Sequence, residues 1–329
     1  MNRPFKRTIV ALALAALALP LAAAAQSAPA WPSRPVRLVV PLPPGSGSDL
    51  LARAFAQRLT MQWGQSVVVE NRPGASTIVA NEAVARAAPD GHTLVFAIDG
   101  GFTVNPHLYA KLPYDPIKDF APITLITIFG TLLVANPSLP ANSVPELIAL
   151  AKAQPGKVSY GSIGSGSQMH LLSAMLGHKA GIEILHVPYK GIPQMMTAVL
   201  TGEVQLSWVG VFSARPLVQA GRLKALGFGG AKRAAMMPEV PTLAELGYPE
   251  VEASVWYGLL APRATPRLII ERIHADVLKL LRDPEFRDKE MLSKGYEPSG
   301  LGPEEFAALI VRETAARGVM VKISGARAE

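Results

Sequence analysis

Along this chain, short apolar runs alternate with longer amphipathic stretches. Val36–Val40, Ser66–Glu70 and Thr93–Ala97 are brief and valine-rich, and they predict strands. Leu50–Leu59 and Ile78–Ala87 lie between them and predict helices, with Asp90-Gly91 as the turn into the third strand. This β-α-β-α-β order predicts a parallel sheet with helices on both faces.

The rhythm then repeats. Leu132–Ala135 predicts a strand closed by Asn136-Pro137. Ser143 opens a helix, with Pro145 in its first turn and Glu146 near its positive end. Val158–Tyr160, Ile184–Val187, Val204–Val209 and Lys224–Gly227 predict strands, and Met169–Lys179, Pro193–Leu200 and Phe212–Ala220 predict helices. Two α/β units therefore stand in series. Prolines punctuate the last third around two helices, Pro266–Leu281 and Pro303–Ala316, which are expected to pack back on the first unit.

The N-terminus is a separate object. Arg3, Lys6 and Arg7 precede an apolar run, Thr8–Leu21, and small residues at Ala22–Ala25. That is the pattern of a secretory signal peptide over residues 1–25, because the run is shorter than the ~20 residues needed to span a membrane. Its removal takes three cations and no acid, lowering the net charge from +7 to +4. No Lys/Arg block interleaves with aromatics, which argues against nucleic acid as a partner. The 329 residues include no cysteine, so neither disulfides nor a lipidated N-terminal cysteine can form. With 49% hydrophobic and 17% charged residues, the chain can build one large core or two. A free, exported protein of this kind suits the Gram-negative periplasm, with release to the medium as the alternative.

Two stretches carry the chemistry. "VRLVVPLPPGSGSDLLARAF" (36–55) and "VSYGSIGSGSQMHLL" (158–172) each read as strand, Gly/Ser loop and helix. A helix N-terminus offers unpaired N–H groups and partial positive charge, and glycines let the backbone approach a ligand. Two such ends facing each other would grip a small anion, with Ser46, Ser48, Ser162, Ser165 and Ser167 adding hydrogen bonds. Each loop alone reads equally as an ordinary capped connection; the pair favours a ligand. Neither loop has the third glycine of a dinucleotide fingerprint or the Lys-Ser/Thr ending of a phosphate loop. Ser165, Ser167, His170 and Asp49 are residue types of a hydrolase triad, but no Gly-x-Ser-x-Gly elbow accompanies them. The six histidines are scattered, and no metal site emerges. His186 reads as structural. Asp99 follows a strand directly in "VFAIDGGFTVNP", either as a turn residue or as an acceptor for a ligand's ammonium or hydroxyl group.

Further segments add up in order: "NRPGA", "AAPDGHTL", "NPHLYAKLPYDPIKDFAPI", "LHVPYKG", "MPEVPTLAELG" and "YGLLAPRATP". With the loops, they make residues 31 to 316 resemble the Bug (TctC-like) periplasmic solute-binding proteins, receptors of tripartite tricarboxylate transporters. The resemblance implies a type II periplasmic-binding fold, two α/β domains around a central ligand cleft. Domain 1 would hold 31–130 plus 228–329 and domain 2 would hold 131–227. It implies a small organic carboxylate as ligand, transporter membrane subunits as partners, no cofactor and a monomer. The family's first loop matches Pro43, Pro44, Gly45, Gly47, Ser48 and Asp49; its second matches Tyr160, Gly161, Ser162, Gly164, Gly166, Ser167 and His170; its strand-end segment matches Ala97–Gly101, which includes Asp99 and Gly100. The chain departs from the family pattern at Ser46, at Ser76-Thr77 where further glycines are usual, at Asp99, and at Gln205 where aspartate is common. Those positions are read as candidates for ligand choice, and Trp208 as a core residue or an aromatic wall. The expected function is capture of a carboxylate-bearing metabolite. A sensor receptor without transport and a secreted serine hydrolase are the alternatives.

Overall fold

Strands β1 (Val36–Val40), β2 (Val67–Asn71) and β3 (Thr93–Ile98) pair in parallel with β1 in the middle. The computed structural model describes residues 31–327, so the signal peptide expected over 1–25 lies outside the described residues. Helices α1 (Gly47–Trp63) and α2 (Ile78–Ala85) make the crossovers. Helix α1 begins three residues before Leu50, where the sequence placed its start. Two short helices, α3 (Asp99–Thr103) and α4 (Asn105–Leu108), follow β3.

The expected strand at Leu132–Ala135 is the tail of a much longer one, β4 (Phe120–Ala135), 16 residues in all. Pro122 and Gly130 disguise it in the sequence. Pro122 is tolerated because the register shifts between Pro122 and Thr124, and a bulge needs no ladder N–H there. Beyond it come α5 (Val144–Ala153), β5 (Ser159–Ser162), α6 (Gln168–Ala180), β6 (Leu185–Pro188), α7 (Ile192–Thr201), β7 (Leu206–Gly210), α8 (Val211–Gln219) and β8 (Lys224–Phe228). The sequence reading missed β9 (Ser254–Pro262), an almost continuous apolar run. Buried on both faces, β9 carries no period-2 signal. Then follow α9 (Arg267–Arg282), short helical turns over 284–294, β10 (Glu297–Pro298) and α10 (Pro303–Ser324).

One strand organises the sheet. Residues 120–130 of β4 pair with β9, which pairs with β3 on its other side. Residues 131–135 pair with β7 and β8. Each half thus shows the same pattern: β2-β1-β3-β9-β4 in one and β6-β5-β7-β4-β8 in the other. In the first half Trp256, Phe102, Phe120 and Phe306 are fully buried. Phe102 and Phe120 meet edge-on at 5.0 Å, and Trp256 and Phe306 at 5.1 Å. Each such side chain contributes roughly 1.5–3 kcal/mol by leaving water. In the second half Trp208 is fully buried and its Nε1 donates to Ser173 Oγ, so it is a core residue and not a wall of the site. Helix α10 docks on α4 through the His107 ring at Thr314 O, and its Met320 and Val321 join the core around Leu171 and Leu172 of α6. Among the described residues, no helix is long and apolar enough to cross a membrane.

Candidate ligand-binding site

Strand direction decides where the two loops point. β1 and β3 are antiparallel to β9, and β9 to β4, so β1 and β4 run the same way. β7 is antiparallel to β4, and β5 and β6 are parallel to β7, so they run against it. The carboxyl ends of β1 and β3 are therefore directed at those of β5 and β7. The register gives the spacing. The last residue of β3, Ile98, is level through Tyr257 with Thr127 of β4, and the last of β7, Gly210, is level with Thr131. Four residues of strand separate the two ends, about 13 Å. A gap at the carboxyl ends of parallel strands is where α/β sheets hold small ligands.

The first loop closes on itself. Ser46 is the N-cap of α1, and its Oγ accepts from the Asp49 N–H at 3.3 Å. Asp49 Oδ2 accepts from the Gly45 N–H at 2.8 Å, so each residue satisfies the other's end of the turn. Asp49 is 1% exposed; Asn71 Nδ2 donates to its other oxygen at 2.9 Å and Arg53 pairs with it at 3.0 Å. Burial by itself would raise its carboxyl, but the bonds from Arg53, Gly45 and Asn71 hold it below the ordinary range. Ser48 is fully buried, 3.3 Å from Ser46 Oγ. Gly47 has no room for a Cβ, which would fall 2.5 Å from the Tyr296 hydroxyl.

The second loop is fastened differently. Ser167 is the N-cap of α6 but makes no cap bond; its hydroxyl donates to Gly164 O at 2.7 Å. Ser162 Oγ accepts from the Gly164 N–H at 3.0 Å and lies 2.6 Å from His186 Nε2. His170 Nδ1 accepts from the Gly166 N–H at 3.1 Å. Ser165 Oγ accepts from the Arg327 N–H at 3.3 Å. Ser167 and His170 each serve the loop, and no hydrogen bond between them is of the kind that links a nucleophile to its base. Gly164 and Gly166 carry positive φ, +118° and +75°, and Gly166 lies hard against Leu108 of α4.

Ser76 and Thr77 sit near this second loop. Both hold left-handed backbones, φ 52° and 77°, which cost non-glycine residues roughly 1–3 kcal/mol each. Asn105 Nδ2 donates to Ser76 O at 2.8 Å, and the Tyr109 hydroxyl donates to Ser76 Oγ at 3.1 Å. Glycines would meet that backbone requirement without strain. Tyr109 adjoins Leu108, so Ser76, the 105–109 turn and the second loop form one neighbourhood. The first loop belongs to another, with Tyr257 and Tyr296.

Asp99 starts α3 and is 6% exposed. Burial pushes its carboxyl up to about 6, opposed by Arg317 and the Gly100 N–H. Gly100 itself has open space beside it. Gln205 lies elsewhere. Its Oε1 accepts from Ser159 N at 2.8 Å and Ser159 Oγ at 2.9 Å, at the amino end of β5 and about 10 Å of strand away from the second loop. It joins two strands and is removed from the candidate set. Sequence reasoning missed Tyr257, Tyr296 and Gln168, whose Nε2 donates to Ala253 O at the start of β9. Tyr257 and Tyr296 come from distant segments, brought in by the pairing of β9 and β10 with β4, while Gln168 follows Ser167 directly and lies within the second stretch itself.

Residues 51–325 match the profile of the Tripartite tricarboxylate transporter family receptor. The chain belongs to this family. A UPF0065 protein of Bordetella pertussis is 38% identical over 285 residues, covering 87% of this chain and 88% of its own. Protein BugT of the same species is 33% identical over 306 residues, covering 93% of this chain and 94% of its own. Among solved structures, R. palustris Rpa4515 with adipate superposes with TM-score 0.80 at 35% identity, over 90% of this chain and 99% of that one. MatC from Rhodopseudomonas palustris with bound malate gives 0.75 at 30%, over 88% and 100%. The fold is that of the periplasmic binding proteins, as the resemblance implied. In family terms the departures acquire physical content: Ser76 and Thr77 carry, with strain, the left-handed turn for which glycines are suited.

Proposed function

We propose that this family member is a periplasmic receptor that captures a small carboxylate-bearing metabolite as a monomer and hands it to the membrane subunits of a tripartite tricarboxylate-type transporter. Residues 31–130 with 228–329 would form one lobe and 131–227 the other, closing on the ligand by a hinge motion. The observation that carries the reading is the opposition of two strand–loop–helix units, beside which the ends of β3 and β7 stand about 13 Å apart along β4. The uncapped N-terminus of α6 is the natural seat for a carboxylate. Ser48, Ser76, Thr77 and Gly100 would add contacts, while Ser46, Asp49, Ser162 and His170 hold the loops in place. Asp99 would favour a ligand that also bears a hydroxyl or ammonium group. The adipate and malate complexes of related structures support the ligand class.

A thermal-shift screen of the purified exported chain tests this. Adipate, malate, amino acids, aromatic acids and neutral sugars should be compared at saturating concentration. At 100 times its Kd, a ligand adds about 2.7 kcal/mol of stability and raises the melting temperature. Carboxylates should head the ranking. A shift by a sugar with none from any acid overturns the ligand class.

A further inference from the structure

The rings of His170 and His186 stack face to face, centroids 4.1 Å apart and only 3° from parallel. Tyr160 continues the stack at 5.1 Å from His186. The three rings come from α6, β6 and β5 and meet beneath the second loop. Both imidazoles hold that loop: His170 Nδ1 accepts the Gly166 N–H, and His186 Nε2 meets Ser162 Oγ. His170 Nδ1 can accept only while it carries no proton, whereas the Ser162 hydroxyl can bond His186 Nε2 in either protonation state. Protonating His170 at Nδ1 turns the acceptor into a donor facing the Gly166 N–H, and a second charge on His186 would sit 4.1 Å away.

We propose that His170, stacked on His186, fastens the second loop in its binding form only while its ring is neutral, so that acid releases the loop and with it the ligand. This regulation rests on the proposed receptor reading, but its physical core does not. Burial, then the neighbouring His186, lowers His170 to about 4, and burial lowers His186. Few other charges bear on the pair. Tyr160 is the titratable group on β5, and α7, packed against β5, has none. On α6 the next, His178 and Lys179, lie two turns on, about 12 Å along the axis. From α10, Glu313 and Arg317 face the His178 end, and Arg327 reaches the loop through its backbone N–H. A released ring returns to the ordinary value near 6.5, so linkage shifts the closed-to-open balance on the order of 100-fold between pH 7 and pH 4.

Hydrogen exchange at the Gly166 amide, corrected for intrinsic rate and referenced to α9 amides, tests this without any ligand. Protection should fall at least tenfold more than the reference between pH 7 and pH 4. His170→Asn keeps an acceptor that does not titrate and should abolish the drop. His170→Leu should leave the amide unprotected at both pH values. Equal loss in the wild type and the Asn variant, or no loss in the wild type, overturns the proposal. If the Leu variant does not fold, ring NMR decides. His186→Phe keeps the stack without the charge and should move the His170 midpoint upward; an unmoved midpoint overturns the coupling. Because no readout needs a ligand, failure of the carboxylate reading would leave these results unchanged.

Discussion

The two Gly/Ser loops look alike in sequence and hold themselves in opposite ways. In the first, a capping serine and a buried aspartate complete the turn, so the amino end of α1 already has its negative charge. In the second, the would-be cap Ser167 turns back to Gly164, and neutral histidines support the loop from below. The amino end of α6 therefore keeps its donors for something else. A symmetric pincer becomes a wall and a socket: the first loop shapes the gap, and the second receives the charge.

The largest test of that difference is Asp49→Ala. It removes the acceptor for Gly45 and Asn71 and should cost about 2–3 kcal/mol in urea unfolding. Since Asp49 is held below its ordinary value, its share of stability is complete above about pH 4 and is lost as pH falls through the folded value. The variant should lack that part of the acid limb. Next comes Asp99, the buried carboxyl that follows β3. Its carboxyl is raised to about 6, so the folded state binds its proton more tightly and stability falls as pH rises from 4 to 6. Asp99→Asn should gain about 1–2 kcal/mol at pH 7 and nothing below pH 4, measured by paired melts.

Ser167→Asp places a built-in carboxylate on the open helix end. The free protein should gain about 1 kcal/mol, while the melting shift given by a carboxylate ligand disappears. A retained ligand shift would mean that the anion sits elsewhere. The mildest comparison is between alanines. Ser46→Ala should lose about 1 kcal/mol because it removes a cap, and Ser167→Ala only a few tenths because it removes none.

The strand–loop–helix units, their order and both loops were legible from residue pattern alone. Valine-rich bursts and Gly/Ser punctuation report local conformation, and β1 appears at its full length, Val36–Val40. What stayed hidden depends on partners. "FAPITLITIFGT" reads as broken because Pro122 needs a bulge that only β9 supplies. Asp49 looked like a ligand contact; Asn71 and Arg53, which commit it to the loop, are set by folding. Gln205 occupies a family position without revealing that its side chain serves Ser159 at the far end of the strand.

β4 also acts as a ruler. Because the same strand carries both halves, the residues between Thr127 and Thr131 set how far apart the ends of β3 and β7 are held. Adding one residue there would turn every later side chain to the opposite face and ruin the second core. Adding two would preserve the faces and widen the gap by about 6.6 Å. Without a further bulge of the kind seen at Pro122, this gap can therefore be lengthened only in steps of two residues, a digital adjustment that substitutions around the rim cannot imitate.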